Sequence, residues 1–252
     1  MKRFLSIFLI LATFLSLISC SNGKALDGEI EKKIEEDGEY NILILGDDLL
    51  ETSKSYEYFE KLCTINQKEI VLDYKTIEDA RLYTFAELCE TDEEFAQTVA
   101  KAEVIIFEEG TAETATTVES LENILKYANS PITVNISLYG YPRWMHRDIF
   151  KDVFRDMKYA DANKYISKII ASEEDVLGFE HLYQEDRIHP NELNGYLTAI
   201  IIYCEVFNAN PKRMTFEGFE YDEGLLGCVP QEWQGREDEL WKKLNMMLVE
   251  LM

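Results

Sequence analysis

Acidic side chains stand where two apolar runs end. Asn41-Ile-Leu-Ile-Leu45 stops at Gly46 and leads into Asp47 and Asp48, and Val104-Ile-Ile-Phe107 leads into Glu108-Glu-Gly-Thr111-Ala112-Glu113. Far along the chain, Asp186-Arg-Ile-His189-Pro190 sets a carboxylate three residues before an imidazole. Brought together, Asp47, Asp48, Asp186 and His189 would make an oxygen-rich set suited to Ca²⁺, Mg²⁺ or Mn²⁺ rather than structural zinc. The plain alternatives are chance clustering in an acidic chain and, for Asp186 and His189, a capping acid beside a surface histidine. No CxxC or Cys/His zinc spacing occurs, and neither a metal nor a cofactor is assigned. Tyr139-Gly-Tyr141-Pro-Arg143-Trp144-Met-His146 supplies rings that stack on a sugar, with Arg143 and His146 placed to meet an anionic group. Asp47, Thr111, Tyr139 and Tyr141 are the candidate ligand-binding positions; the bland reading of the aromatic segment is a loop half-buried on the domain.

These residues need elements to hold them. Apolar runs predict strands over 41–45, 69–73, 104–107 and 131–136, with a fifth short strand over 176–182. Helical spacing follows Thr52 through Tyr56, Phe59, Leu62 and Cys63, and spans 77–100 in two pieces restarted by Thr91-Asp-Glu-Glu94, which has the form of a capping box. Further helices are expected over 117–128, over most of 142–172, over 190–207 with Leu193, Leu197, Ile200, Ile201 and Cys204 inward, and from 237 to the end. Alternation of this kind predicts an α/β, three-layer α/β/α sandwich around a flavodoxin-like, mainly parallel sheet. Ligands of such sheets bind beyond the carboxyl ends of the strands, where the polar residues above fall.

Two blocks give the chain a resemblance to the SGNH, or GDSL, hydrolases, a superfamily of esterases, lipases and carbohydrate deacetylases. Ile42-Leu-Ile-Leu-Gly-Asp-Asp48-Leu49 is similar to the family's strand followed by Gly-Asp-Ser-Leu, except at the serine; Asp186-Arg-Ile-His189-Pro190 and the helix after it are similar to the family's Asp-x-x-His-Pro block. The resemblance spans about residues 40–207 and implies roles. Asp186 would accept the His189 Nδ1–H and fix its tautomer, while the other nitrogen would take the nucleophile's proton. Asp48 occupies the nucleophile position, Ala112 the place of an oxyanion-stabilising Asn, and no glycine between 70 and 100 supplies the second oxyanion donor. Two carboxylates near His189 would also hold it as imidazolium, which is no general base. Ser53 and Ser55 lie too far along the chain to replace the missing serine.

The chain opens with Lys2 and Arg3, an apolar stretch from Phe4 to about Leu17, and Leu17-Ile-Ser-Cys20, which resembles a lipobox. The organisation expected is a lipoprotein signal peptide over 1–19, a lipidated Cys20 with an acidic tether over 20–38, and one SGNH-hydrolase-like domain over 39–252. Such a protein would be exported and lipid-anchored to the outer face of the bacterial cytoplasmic membrane through Cys20. A formal charge of −23 argues against nucleic acid as a partner. Cys63, Cys89, Cys204 and Cys228 allow two disulfides in three connectivities, with Cys63 and Cys204 on apolar helix faces read as buried thiols. The function expected is a degenerate or altered hydrolase that binds a glycan, acylated or other small-molecule ligand. The alternatives are an active esterase or deacetylase with a non-standard nucleophile, and a solute- or glycan-binding lipoprotein that shares only general α/β geometry.

Overall fold

In the computed structural model, the described residues are 39–108, 114–138, 150, 153–172 and 176–252. Cys20, Thr111, Ala112, Tyr139 and Tyr141 lie outside them, as do Arg143, Trp144 and His146.

Strand β1 (Glu39–Gly46) is followed by α1 (Asp48–Ser53) and α2 (Ser55–Ile65), then β2 (Glu69–Thr76), α3 (Leu82–Thr91) and α4 (Glu93–Lys101). Next come β3 (Val104–Glu108), α5 (Thr114–Leu125), β4 (Ile132–Ser137), β5 (Lys158–Asp161) and α6 (Ala162–Ile170). Helices α7 (Glu192–Val206), α8 (Glu223–Gly227) and α9 (Glu237–Leu251) complete the order. The strands form one five-stranded sheet in the order β2-β1-β3-β4-β5, every pair parallel. This is the flavodoxin-like order, and the all-parallel sheet explains the continuous Ile/Leu/Val runs: helices cover both faces, so the inner strands need no polar alternation. Leu43 and Leu45 of β1 and Ile105 and Phe107 of β3 pack with Phe85, Phe95, Val99, Leu121 and Ile124 from α3, α4 and α5. On the other face α7 lies against α2, β4 and β5, and α9 against α6. Thirteen of the fifteen residues of α7 are buried, so its sequence is apolar all round rather than striped.

Four expectations are corrected. The fifth strand is Lys158–Asp161, paired with β4, inside a stretch whose apolar spacing read as helix. Residues 176–182 are instead irregular and end in a 3-10 turn over Phe179–His181; Val176, Leu177 and Leu182 are buried as plugs without a strand partner. Residues 77–81 form a turn closed by the Ala80 N–H on the Ile77 carbonyl, because Asp79 adopts a left-handed φ of 55° that no helix accommodates. The restart at α4 is capped one residue later than expected: Asp92 accepts from the N–H groups of Glu94 and Phe95.

Cys63, Cys89, Cys204 and Cys228 are free thiols, the first three buried. Burial pushes the Cys89 thiol up to about 11 and the Cys204 thiol up to about 12, so these sulfurs behave as small core hydrophobes.

Candidate functional site

Gly46 ends β1, and the chain turns at once into α1. Asp47 caps that helix, its Oδ1 accepting the Leu49 N–H at 2.9 Å, and is itself buried. Asp48, the first helical residue, therefore stands at the carboxyl edge of the sheet with its side chain 28% exposed. On the opposite side, the loop before α7 is tied internally. Asp186 Oδ1 accepts from the N–H groups of Ile188 at 2.9 Å and His189 at 3.0 Å, and Gln184 N–H donates to the His189 carbonyl at 2.9 Å. Asn191, not Asp186, caps α7, accepting from Leu193 and Asn194 while its Nδ2 donates to the His181 carbonyl. Glu192 then pairs with Lys54 at 2.7 Å and accepts from the Tyr58 hydroxyl, joining the start of α7 to α2.

The two sides meet through one imidazole. His189 Nδ1 lies 2.5 Å from Asp186 Oδ2, and His189 Nε2 lies 2.8 Å from Asp48 Oδ2, joining residues 141 positions apart. Ionised carboxylates accept only, so both contacts are hydrogen bonds when both ring nitrogens carry protons. The electrostatics agree. Asp186 and then Asp48 raise the His189 pKa above its ordinary value. Asp186 is lowered to about 2 by the imidazole and by the two backbone N–H groups. For Asp48, burial works upward, but the His189 hydrogen bond and the Asp79 N–H together outweigh it and hold the carboxyl low. Geometry and electrostatics both favour the doubly protonated ring, held between two carboxylates.

That Asp79 N–H was not foreseen. It reaches Asp48 Oδ1 at 3.3 Å from the turn after β2, in the left-handed conformation a glycine would usually fill. Asp tolerates this conformation better than most residues, so no glycine marks the position. Glu108, read from sequence as one of several polar residues after the third strand, is the buried last residue of β3 at the same edge. Ser53 is fully buried and donates to the Leu50 carbonyl, and Ser55 is buried too; neither hydroxyl is presented at the surface. Among the described residues, no group of three His, Cys, Asp or Glu side chains is arranged to hold a cation.

The fold has known relatives in shape. A DUF4886 family protein from Bacteroides uniformis superposes with a TM-score of 0.60 at 9% identity, covering 84% of this chain and 94% of that one. A lipase from a goat rumen metagenome gives 0.49 at 13% identity over 66% of this chain and 97% of its own. The esterase EstA from Pseudoalteromonas gives 0.44 at 19% identity over 68% and 98%. The likeness to the first is one of fold alone, and the other two are too distant in shape to add to it. No protein-family model matches the sequence, and no curated protein matches it.

Beside Asp186 opens a groove of about 680 Å³, lined also by His181, Tyr183, Glu185, Asn191 and Cys228. Tyr183 stacks on Phe179 at 4.5 Å, which leaves an aromatic wall next to the carboxylate. The groove meets the clamp at Asp186, whereas Asp48 and His189 do not line it.

The clamp gives a pH signature. His189 is raised on folding, so its contribution to stability is complete below its unfolded value near 6.5 and is lost as pH rises through the folded value. Asp186 is lowered, so its contribution is complete above 3.8 and is lost as pH falls through about 2. Melting curves of wild type and His189→Gln should therefore differ most at about pH 4 to 6.5 and converge in both acid and alkali. A difference that stays constant from acid through alkali would mean that the imidazole is not held as the cation.

Proposed function

We propose that this chain is a lipid-anchored surface protein whose domain is an SGNH-type hydrolase fold turned to ligand binding. Hydrolysis by the family's route needs a serine and a neutral imidazole beside it. The observation that carries the reading is the double engagement of His189, which leaves no ring nitrogen free to accept a proton. Asp48 is also a poor nucleophile in this setting. Its two oxygens are held by His189 and by the Asp79 N–H, and its pKa is lowered. What remains is a polar edge beside an aromatic-walled groove, suited to hydroxyl-rich or acylated ligands such as acetylated glycans. The anchor is the lipid expected on Cys20, with residues 20–38 as tether.

The test is hydrolysis of short acyl esters and acetylated sugars by the purified full chain, run alongside calorimetric titration of acetylated oligosaccharides. Wild type and His189→Ala are expected to share the same background rate, while wild type binds acetylated sugar and His189→Ala binds it more weakly. A wild-type rate above background that vanishes in His189→Ala would instead make this an enzyme with a non-serine nucleophile.

A further inference from the structure

Strand β2 is an edge whose only guards are the exposed charges Glu69, Asp73 and Lys75. It runs eight residues, Glu69-Ile-Val-Leu-Asp-Tyr-Lys-Thr76, with no proline, and pairs in unbroken register with β1 on one side only among the described residues. Val71 is 40% exposed and Tyr74 53% exposed, both large apolar surfaces for a strand at a sheet margin. Open edges of this length are templates for another strand unless something blunts them.

We propose that β2 is a homodimer interface, pairing antiparallel with β2 of a second copy about a two-fold axis at Leu72. The choice of occupant comes from charge. A two-fold axis perpendicular to the sheet pairs residues of the same face, so the register can be centred only on a residue. Centred on Leu72, Glu69 of each copy faces Lys75 of the other, Ile70 faces Tyr74, and Leu72 faces itself. Centred one residue later, Asp73 faces Asp73; one residue earlier, Glu69 faces Asp73. Opposite charges directly across an antiparallel pair stabilise it and like charges oppose it, so one register of the three is favoured. The same pairing would join two five-stranded sheets into one of ten strands with a closed, isologous interface. Helix α2 backs the even face of β2, where Tyr56 stacks on Tyr74 at 4.3 Å, while the face carrying Glu69, Val71, Asp73 and Lys75 is exposed.

The experiment is oxidative cross-linking of the full chain in membranes, read on a non-reducing gel. Leu72→Cys is expected to give a disulfide-linked dimer, because paired Cβ atoms on the axis are within bridging range. Val71→Cys, which would face Asp73, is expected to cross-link far less. Adding Glu69→Lys to Leu72→Cys turns both ion pairs into Lys–Lys contacts and should lower the dimer fraction by about tenfold. Adding Lys75→Glu as well should restore it. Both charged residues are exposed, so these changes leave the fold intact and the reading does not depend on Leu72 alone. Absence of a Leu72→Cys dimer, equal cross-linking from Val71→Cys, or indifference to the single charge reversal would each overturn the proposal.

Discussion

Asp48→Ser should confer ester hydrolysis on this domain, raising the rate on short acyl esters by about 10²-fold over wild type, the lower end of what a positioned base contributes. The substitution removes one of the two carboxylates that hold His189 as imidazolium, so the histidine pKa falls toward its ordinary value. Asp186 stays at 2.5 Å from Nδ1 and fixes the tautomer that leaves Nε2 with a lone pair. A serine Oγ sits one bond closer to the backbone than the present Oδ2, which lies 2.8 Å from Nε2, so the remaining gap must be closed by side-chain rotation. The Asp79 N–H, at 3.3 Å from Asp48 Oδ1 in wild type, would then be free to donate to negative charge developing near the new hydroxyl. Asp48→Asn is the control, because it removes the same charge without supplying a nucleophile. The gain should disappear in the double variant with His189→Ala. If Asp48→Ser is no faster than Asp48→Asn, the residues do not form a hydrolytic geometry and the descent proposed for the fold loses its main support.

Gly195→Ala should lower the melting temperature by about 2–12 °C, and for a reason opposite to helix propensity. In an exposed helix interior the change would stabilise by about 1 kcal/mol. Here α7 crosses α1 so closely that a Cβ on Gly195 would lie 1.7 Å from the Ser53 carbonyl oxygen and 2.6 Å from its carbonyl carbon. Both obstacles are backbone and cannot rotate away, so the helices must part. Overpacking of this kind costs about 1–3 kcal/mol and here falls on a fully buried helix. One kcal/mol corresponds to about 2–4 °C in a domain of this size. The same separation would draw His189 and Asp48 apart, since Asp48 begins α1 and His189 lies in the loop that leads into α7. Thermal melting and the His189 ring resonances should therefore change together. An unchanged melting temperature would mean that the close crossing is not rigid.

Much of the architecture was legible in the sequence because its cause is local. A strand buried on both faces has to be apolar at every position, and 42–45 and 104–107 read as such; an amphipathic helix repeats at 3.6 residues, and α2, α5 and α9 do so. The alternation of the two kinds of run then leaves few topologies besides a parallel sheet between helices. The short β5 was hidden for the same reason in reverse: four residues, Lys-Tyr-Ala-Asp, carry too little periodicity to stand out against the helical spacing around them. Residues 176–182 were apolar enough to read as a strand, but burial alone does not make one without an open neighbouring edge.

The sequence by itself determined which residues stand at the ends of strands, that Asp48 follows shortly after the first strand, and that Asp186 and His189 are spaced to meet. Only the tertiary structure decided that Asp48 reaches the same imidazole across 141 residues, that Asp79 turns its N–H toward Asp48, and that Gly195 lets α7 come close enough for both. Those outcomes depend on how two helices cross, which is set by packing summed over the whole domain and leaves no periodic trace in the chain.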